Sequence, residues 1–155
     1  MDGHDDRAVH DLGAFLLGRW RLDRRIVDDR GDLLGTVVGS VVITEVAAEV
    51  ATPPPRSLDY HEEGELVLAS YRGPMSRRLE YRLGEAGRAV VHFDHGGFFH
   101  DVDLRSGHWQ ARHPCGDDRY LGTYSVLGPD RWRQEWQVEG PSKAHTIHSE
   151  FHRVG

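Results

Sequence analysis

After its opening residues the chain alternates apolar and polar positions with a period of two, broken by short clusters of Gly, Pro and Asp. Such alternation places every second side chain on one face of a strand. The breaks fall at "DDRGD", "TPPPR", "EEGE", "RGPMS", "GEAG", "DHGG", "RSG", "CGDD", "LGPD" and "EGPSK". Their spacing of roughly 8–12 residues is that of an antiparallel sandwich or barrel. The pattern predicts about ten strands, from "RWRLDRRIV" to "HTIHSEFHRV". Only "DDRAVHDLGAFLLG" reads as a helix, over about residues 6–17. It places Val9, Leu12 and Leu16 on one face, with Asp5 or Asp6 as N-cap and Gly18 as its stop. "TPPP", residues 52–55, reads as a loop, because prolines cannot donate to a ladder.

A meander of ten strands with short turns tends to close, since closure removes exposed edges. A barrel of that size has room for a cavity. The expectation is therefore an all-β, closed antiparallel up-and-down barrel, with the helix over one mouth. A single domain would span residues 1–155, its barrel about 18–154; neither repeat nor linker divides the chain.

The two ends of the meander support closure. "LGRW" puts Gly18 and Trp20 at the head of the first strand, and "FHR" puts Phe151 and Arg153 in the last. This resembles the calycin superfamily of lipocalins, fatty-acid-binding proteins and nitrobindins. There Gly-x-Trp opens the first strand and a late arginine packs over the indole, a favourable cation–π arrangement. The resemblance implies contact between Trp20 and Arg153. It does not extend to haem: Trp20 is followed by Arg21-Leu22-Asp23 rather than a glycine-rich continuation. The stretches "FLLGRWRLDRRI", "HFDHGGFFHDVDL", "ARHPCGDDRYLGTY" and "VEGPSKA" also resemble an uncharacterised bacterial family of about this size, which implies a fold and little chemistry.

Strand parity and turn length together predict the interior. Ala89, Val91 and Phe93 face in, as do Phe98, His100, Val102 and Leu104, leaving Phe99, Asp101 and Asp103 outside. Trp109, Ala111, His113 and Cys115 form the next inward set, followed by Tyr120, Gly122, Tyr124 and Val126, then Trp132, Gln134, Trp136 and Val138. A two-residue turn at Ser106-Gly107 sets His100 opposite His113. A four-residue loop "GDDR" sets Cys115 opposite Tyr120 and His113 opposite Gly122. A loop at residues 128–130 sets Val126 opposite Trp132 and Tyr124 opposite Gln134. Gly122 would then open space beside a histidine pair, between His113 and Trp136. Asp117 and Asp118 serve the turn.

The candidate ligand-binding residues on this reading are His100, His113, Tyr120, Tyr124, Gln134, Trp136 and Arg24. Two readings of the histidines stay open: a buried, hydrogen-bonded pair, or groups that contact a ligand or move protons near neutral pH. Arg24 shares the face of Trp20, Leu22 and Ile26. An inward arginine needs an anionic partner, either a buried acid such as Glu62 or a ligand carboxylate or phosphate. Lys143 reads as solvated. Tyr60, Tyr71 and Tyr81 are candidates for the far wall, although their strands are apolar on both faces.

Charge and composition narrow the function classes. The net charge of −6 and pI near 6.0 argue against nucleic acid as a partner. One cysteine, Cys115, allows no internal disulfide and no cysteine-rich zinc site. Eleven histidines are an excess, but they lack metal-ligand spacing, so no metal or other cofactor is expected. The opening residues carry no apolar leader and no segment is long enough to span a bilayer. The expected setting is cytoplasmic, with no membrane partner and room for a homodimer. Two functions fit best: a carrier or sensor of a small, partly apolar molecule, or a small barrel enzyme (isomerase, cyclase or hydratase) using a cavity histidine. A purely structural or partner-binding module is a third. No nucleophile–base–acid set is visible, which favours the carrier.

Overall fold

The computed structural model describes residues 7–46 and 56–155; the TPPP stretch and both candidate caps Asp5 and Asp6 lie outside them. One short helix, α1 (Leu12–Leu16), is followed by ten strands. These are β1 (Gly18–Asp28), β2 (Leu33–Val46), β3 (Ser57–Leu68), β4 (Tyr71–Leu83) and β5 (Arg88–Phe93), then β6 (Phe98–Asp103), β7 (His108–Cys115), β8 (Asp118–Gly128), β9 (Arg131–Gly140) and β10 (Lys143–Arg153). All belong to one antiparallel sheet in the order β6-β5-β4-β3-β2-β1-β10-β9-β8-β7. The sheet curls into a nearly closed barrel.

Closure through the termini follows the sequence expectation. Strands β1 and β10 pair along their length, with Trp20 opposite Arg153. The Arg153 guanidinium lies 4.2 Å from the Trp20 ring centre. It also donates to the carbonyls of Phe15 and Leu17 at 2.8 and 3.1 Å and to Asp130 at 2.8 Å. Trp20 Nε1 donates to Leu16 O at 2.9 Å. One arginine thus joins the end of α1, the indole and the last strand. Gly18, at φ 122°, makes the sharp exit from α1 into β1, a backbone conformation open to glycine at little cost.

The open seam lies elsewhere, between β6 and β7, which share no ladder. The pairing expected across Ser106-Gly107 therefore does not form, and His100 does not oppose His113. The Leu104 carbonyl accepts from Gly107 N in the turn and from Val9 N of the N-terminal segment, both near 3 Å. Leu104 N is drawn to Gly87 O at 2.9 Å. These bonds hold the end of β6 away from β7. Two side chains bridge the gap instead: Trp109 Nε1 donates to Asp101 O at 2.9 Å, and His113 Nδ1 to Phe99 O at 2.9 Å.

Three further expectations change. The helix is shorter than 6–17: Asp11 caps it, its carboxylate accepting from Ala14 N at 3.0 Å. Val9 and Leu12 are tied by backbone bonds to Leu104 and Ala86 instead. "EEGE" and "RGPMS" are not breaks; they run inside β3 and β4. Gly64 lies opposite Gly39 of β2, so these glycines serve close backbone approach rather than a turn. Finally, Cys115 pairs with Asp118, His113 with Tyr120 and Ala111 with Gly122. The loop is Gly116-Asp117, two residues shorter than expected. A slip of two preserves the inward face while moving each residue one layer.

Candidate functional site

The barrel interior is layered along its axis. At the helix end Leu12, Leu16, Trp20, Trp132 and Phe151 are all buried. Trp132 stacks on Phe151 with centroids 3.9 Å apart, and Trp20 meets Trp132 edge-on at 6.1 Å. This end is filled.

Above it lies a polar layer. Arg24 donates to both carboxylate oxygens of Glu62 at 2.8 Å and to Ser149 Oγ at 2.8 Å. Tyr60 adds its hydroxyl to Glu62 at 2.7 Å. The acid anticipated as a partner for Arg24 is thus the one present. Burial alone would raise the Glu62 pKa, but the Arg24 hydrogen bonds and charge, helped by Arg77 and Tyr60, hold it below the ordinary value. Burial would likewise lower Arg24, and Glu62 outweighs it.

His100 belongs to the same layer. It is almost wholly buried. Its Nδ1 bonds the Asp101 carbonyl at 2.8 Å, so that nitrogen carries the proton. Nε2 then accepts from the Tyr124 hydroxyl at 3.1 Å, which in turn meets the Tyr81 hydroxyl at 3.5 Å. Burial lowers the His100 pKa to about 4, keeping the ring neutral. Both ring nitrogens are satisfied by the fold.

Beyond this floor a cavity of about 460 Å³ opens at the end away from α1. Its lining includes Ile26, Val37, Leu66, Met75 and Ile147 on one side and Phe93, Phe99 and Trp136 on the other. The aromatic side is a continuous stack: Phe93 to Phe99 at 4.5 Å and 17°, Phe99 to Trp136 at 5.2 Å and 20°. His113 stands edge-on to Phe99 at 5.1 Å. The stack spans the inside of the β6–β7 seam, joining β5, β6 and β9 where the backbone ladder is missing. Leu33, Leu34, Leu68, Tyr71 and Phe98 are exposed around this end.

Of the seven candidates, five line the cavity: His113, Tyr120, Gln134, Trp136 and Arg24. His100 and Tyr124 lie in the layer beneath. His113, with its proton fixed on Nδ1 by Phe99 O, presents an Nε2 that has no hydrogen bond among the described residues. Tyr120 Oη has none either. Gln134 Oε1 is taken by Trp136 Nε1 at 3.0 Å. The space expected beside Gly122 is filled: a Cβ there would stand 2.6 Å from the Trp136 ring. The missing side chain makes a seat for the indole, and the indole becomes a wall of the cavity.

Parity put one lining residue, Phe99, on the wrong face, and Arg77 was not among the candidates. Phe99 was placed outside, but a β-bulge between Val91 and His92 lets both Phe99 and His100 turn inward and leaves Phe98 exposed. A bulge of this kind re-aims one side chain; the only hint is two aromatics directly after a Gly-Gly turn. Arg77, which shares the inward parity of Leu79 and Tyr81, also lines the cavity. Tyr60 and Tyr81 are buried in the floor, whereas Tyr71 is exposed at the rim. Cys115 is exposed at the mouth. Asp118 is in β8 rather than the turn and pairs with Lys143 at 3.3 Å. Among the described residues no three His, Cys, Asp or Glu side chains converge as a metal site, and no helix is long and apolar enough to cross a membrane.

A family model matches residues 16–153 of the chain. The chain belongs to DUF6314, a family of unknown function. No curated protein matches this DUF6314 chain. Among solved structures its barrel is similar to the S-type phycobiliprotein lyase from Guillardia theta, with TM-score 0.65 and 14% identity over 92% of this chain and 90% of that one. A redesigned β-barrel, mFAP1, bound to DFHBI, matches at TM-score 0.48 and 12% identity, covering 92% of this chain and 98% of the other. A DUF3598 protein of unknown function from Nostoc punctiforme matches at 0.46 and 10%, covering 95% of this chain and 50% of the other. At these identities the likeness to the lyase bears on fold alone.

Proposed function

We propose that this DUF6314 barrel is a calycin-like small-molecule-binding protein that holds a partly apolar ligand in the cavity opposite α1. The observation that carries the reading is the cavity itself: about 460 Å³, at one end of a barrel whose other end is packed with Trp20, Trp132 and Phe151. That volume lies in the usual range for small-molecule sites, which combine apolar walls with a few placed polar groups. Here the walls are aliphatic on one side and a stacked aromatic face on the other. The polar groups are His113 Nε2, Tyr120 Oη and Arg77. The ligand-binding set becomes His113, Tyr120, Gln134, Trp136 and Arg24, joined by Phe99 and Arg77.

The enzymatic alternative draws no support from His100, whose nitrogens are both engaged and which lies below the cavity floor. Among the described residues His113 is the cavity histidine with an open ring nitrogen; Tyr120 stands beside it with ring centres 6.0 Å apart, and no hydrogen bond joins the two into a proton-transfer pair.

Native mass spectrometry of the purified protein tests the reading: a bound species of discrete mass is expected. It should be absent from a Met75→Trp variant, in which the indole fills the cavity. A wild-type protein that carries no small molecule and binds no apolar fluorescent probe would sink the proposal.

A further inference from the structure

Five charged or titratable side chains reach the cavity: Arg24, Arg77, His113, Cys115 and Tyr120. Among the described residues no Asp or Glu lines it. Arg24 is neutralised by Glu62 in a two-pronged ion pair. Arg77 is not. It is the ladder partner of Glu62 on the neighbouring strand, yet among the described residues it makes no hydrogen bond and no ion pair within 4 Å. Glu62 has already given one carboxylate oxygen to Arg24 and the other to Arg24 and Tyr60 together. The cavity of a protein with net charge −6 therefore sets two arginines against one buried carboxylate, and Arg77, solvent-exposed at the cavity lining, keeps its guanidinium open to an anion.

We propose that the ligand is an amphipathic anion, a flat apolar body carrying one acid group, and that Arg77 binds the acid while Phe93, Phe99 and Trp136 face the body. This rests on the cavity reading above and deepens it. The physical reason is desolvation. A neutral apolar ligand entering the cavity would strip water from the Arg77 guanidinium and give nothing back, a penalty that offsets the apolar contact. A carboxylate, sulfonate or phosphate accepts from the guanidinium fork instead, and such charge-assisted bonds are the strong ones. A cationic ligand would meet like charge. The field of Arg77 is felt through the floor as well: it opposes the rise of the buried Tyr60 and Tyr124 hydroxyls and works against a proton on His100.

The test uses two fluorescent probes that share one ring system, 8-anilinonaphthalene-1-sulfonate and neutral N-phenyl-1-naphthylamine, titrated into the full chain. The wild type should bind the sulfonate more tightly than its neutral partner by about ten- to hundredfold, the size of one hydrogen-bonded charge pair. Arg77→Met should erase that preference by weakening the sulfonate and, with no guanidinium left to desolvate, should strengthen the neutral probe; Arg77→Lys should keep part of the preference. Leu66→Phe and Met75→Trp, checked for unaltered circular dichroism, should weaken both probes and so locate them in the cavity. Equal binding of the two probes by the wild type, or a preference that survives in Arg77→Met, overturns the assignment of Arg77 and leaves the cavity reading standing. Binding of neither probe, or of both without any effect of the cavity variants, removes the cavity reading and this inference with it.

Discussion

The two ends of the barrel share the same ladders and differ in what fills them. At the helix end Trp20, Trp132 and Phe151 interlock under α1, and Arg153 ties the helix end to the first and last strands. At the other end the strands continue, but among the described residues no element covers the mouth, and β5 and β6 stop after six residues each. The helix end resembles an ordinary core, where density is uniform and every aromatic has a neighbour on both sides. The open end has aromatics stacked on one wall only. Closure of a sheet and filling of its interior are therefore separate events. Closure comes from strand pairing, while filling needs side chains long enough to meet across the axis or a helix to cover the end.

Removal of one ring from each end separates packed core from open wall. Phe151→Ala, at the filled end, is expected to cost roughly 3–5 kcal/mol of unfolding free energy in urea titration, as deletion of a buried phenylalanine does. Phe93→Ala, in the open wall, should cost less than about half of that, because the ring already borders a void, and should instead weaken probe binding. Equal losses would mean that the open end is packed like the core.

The polar floor between the ends can be tested next. Arg24→Ala leaves Glu62 buried without its main partner and should destabilise by about 3 kcal/mol or more. The double variant Arg24→Met with Glu62→Leu should recover most of that loss. A double variant as unstable as the single would show that the floor contributes more than paired charges.

His100 gives the floor a pH signature. Its folded pKa of about 4 lies below the ordinary 6.5, so the unfolded chain takes up the proton first. The contribution is complete above pH 6.5 and is lost as the pH falls toward 4. Between pH 7.5 and 5 the linkage amounts to about 2 kcal/mol. His100→Gln should lack that part of the pH dependence in denaturant titrations; an unchanged slope would mean that other groups supply it. The smallest effect concerns Gly122. Gly122→Ala forces the Trp136 indole from its seat and is expected to cost about 1–2 kcal/mol, while lowering probe affinity by reshaping the wall. Unaltered affinity would place the ligand away from Trp136.

Much of this arrangement was legible in the chain. The period-two alternation identified the strands, and the parity of β8 and β9 correctly assigned Tyr120, Tyr124, Trp132, Gln134 and Trp136 to the interior, because the register shift between these strands, at Val126/Gly128, falls beside the turn and outside those residues. The residue Gly128–Asp130 turn placed Val126 against Trp132 and Tyr124 against Gln134, as observed. The contact of Trp20 with Arg153 and the need of Arg24 for an acid were also readable, since both follow from residue type and parity alone. Parity failed at one place, the bulge before Phe99. There a single extra residue reverses the faces of all that precedes it, and no local propensity marks its position.

Local chemistry and alternation therefore determined the strands, their inward faces and the joining of the first strand to the last, since each depends on neighbours within a few residues or on the two ends of a meander. Three things were decided only by the assembled barrel. One is the β6–β7 seam, opened because Leu104 bonds to Gly87 and Val9, groups distant in sequence from β7. Another is the division of two histidines that parity treated alike. Tyr124 and the Asp101 carbonyl close around His100, whereas His113 keeps an open nitrogen at the cavity. The last is the charge balance of the interior. Glu62 stands within reach of two inward arginines and bonds only Arg24, and which cation remains for a ligand is set by three-dimensional geometry that alternation along a strand does not encode.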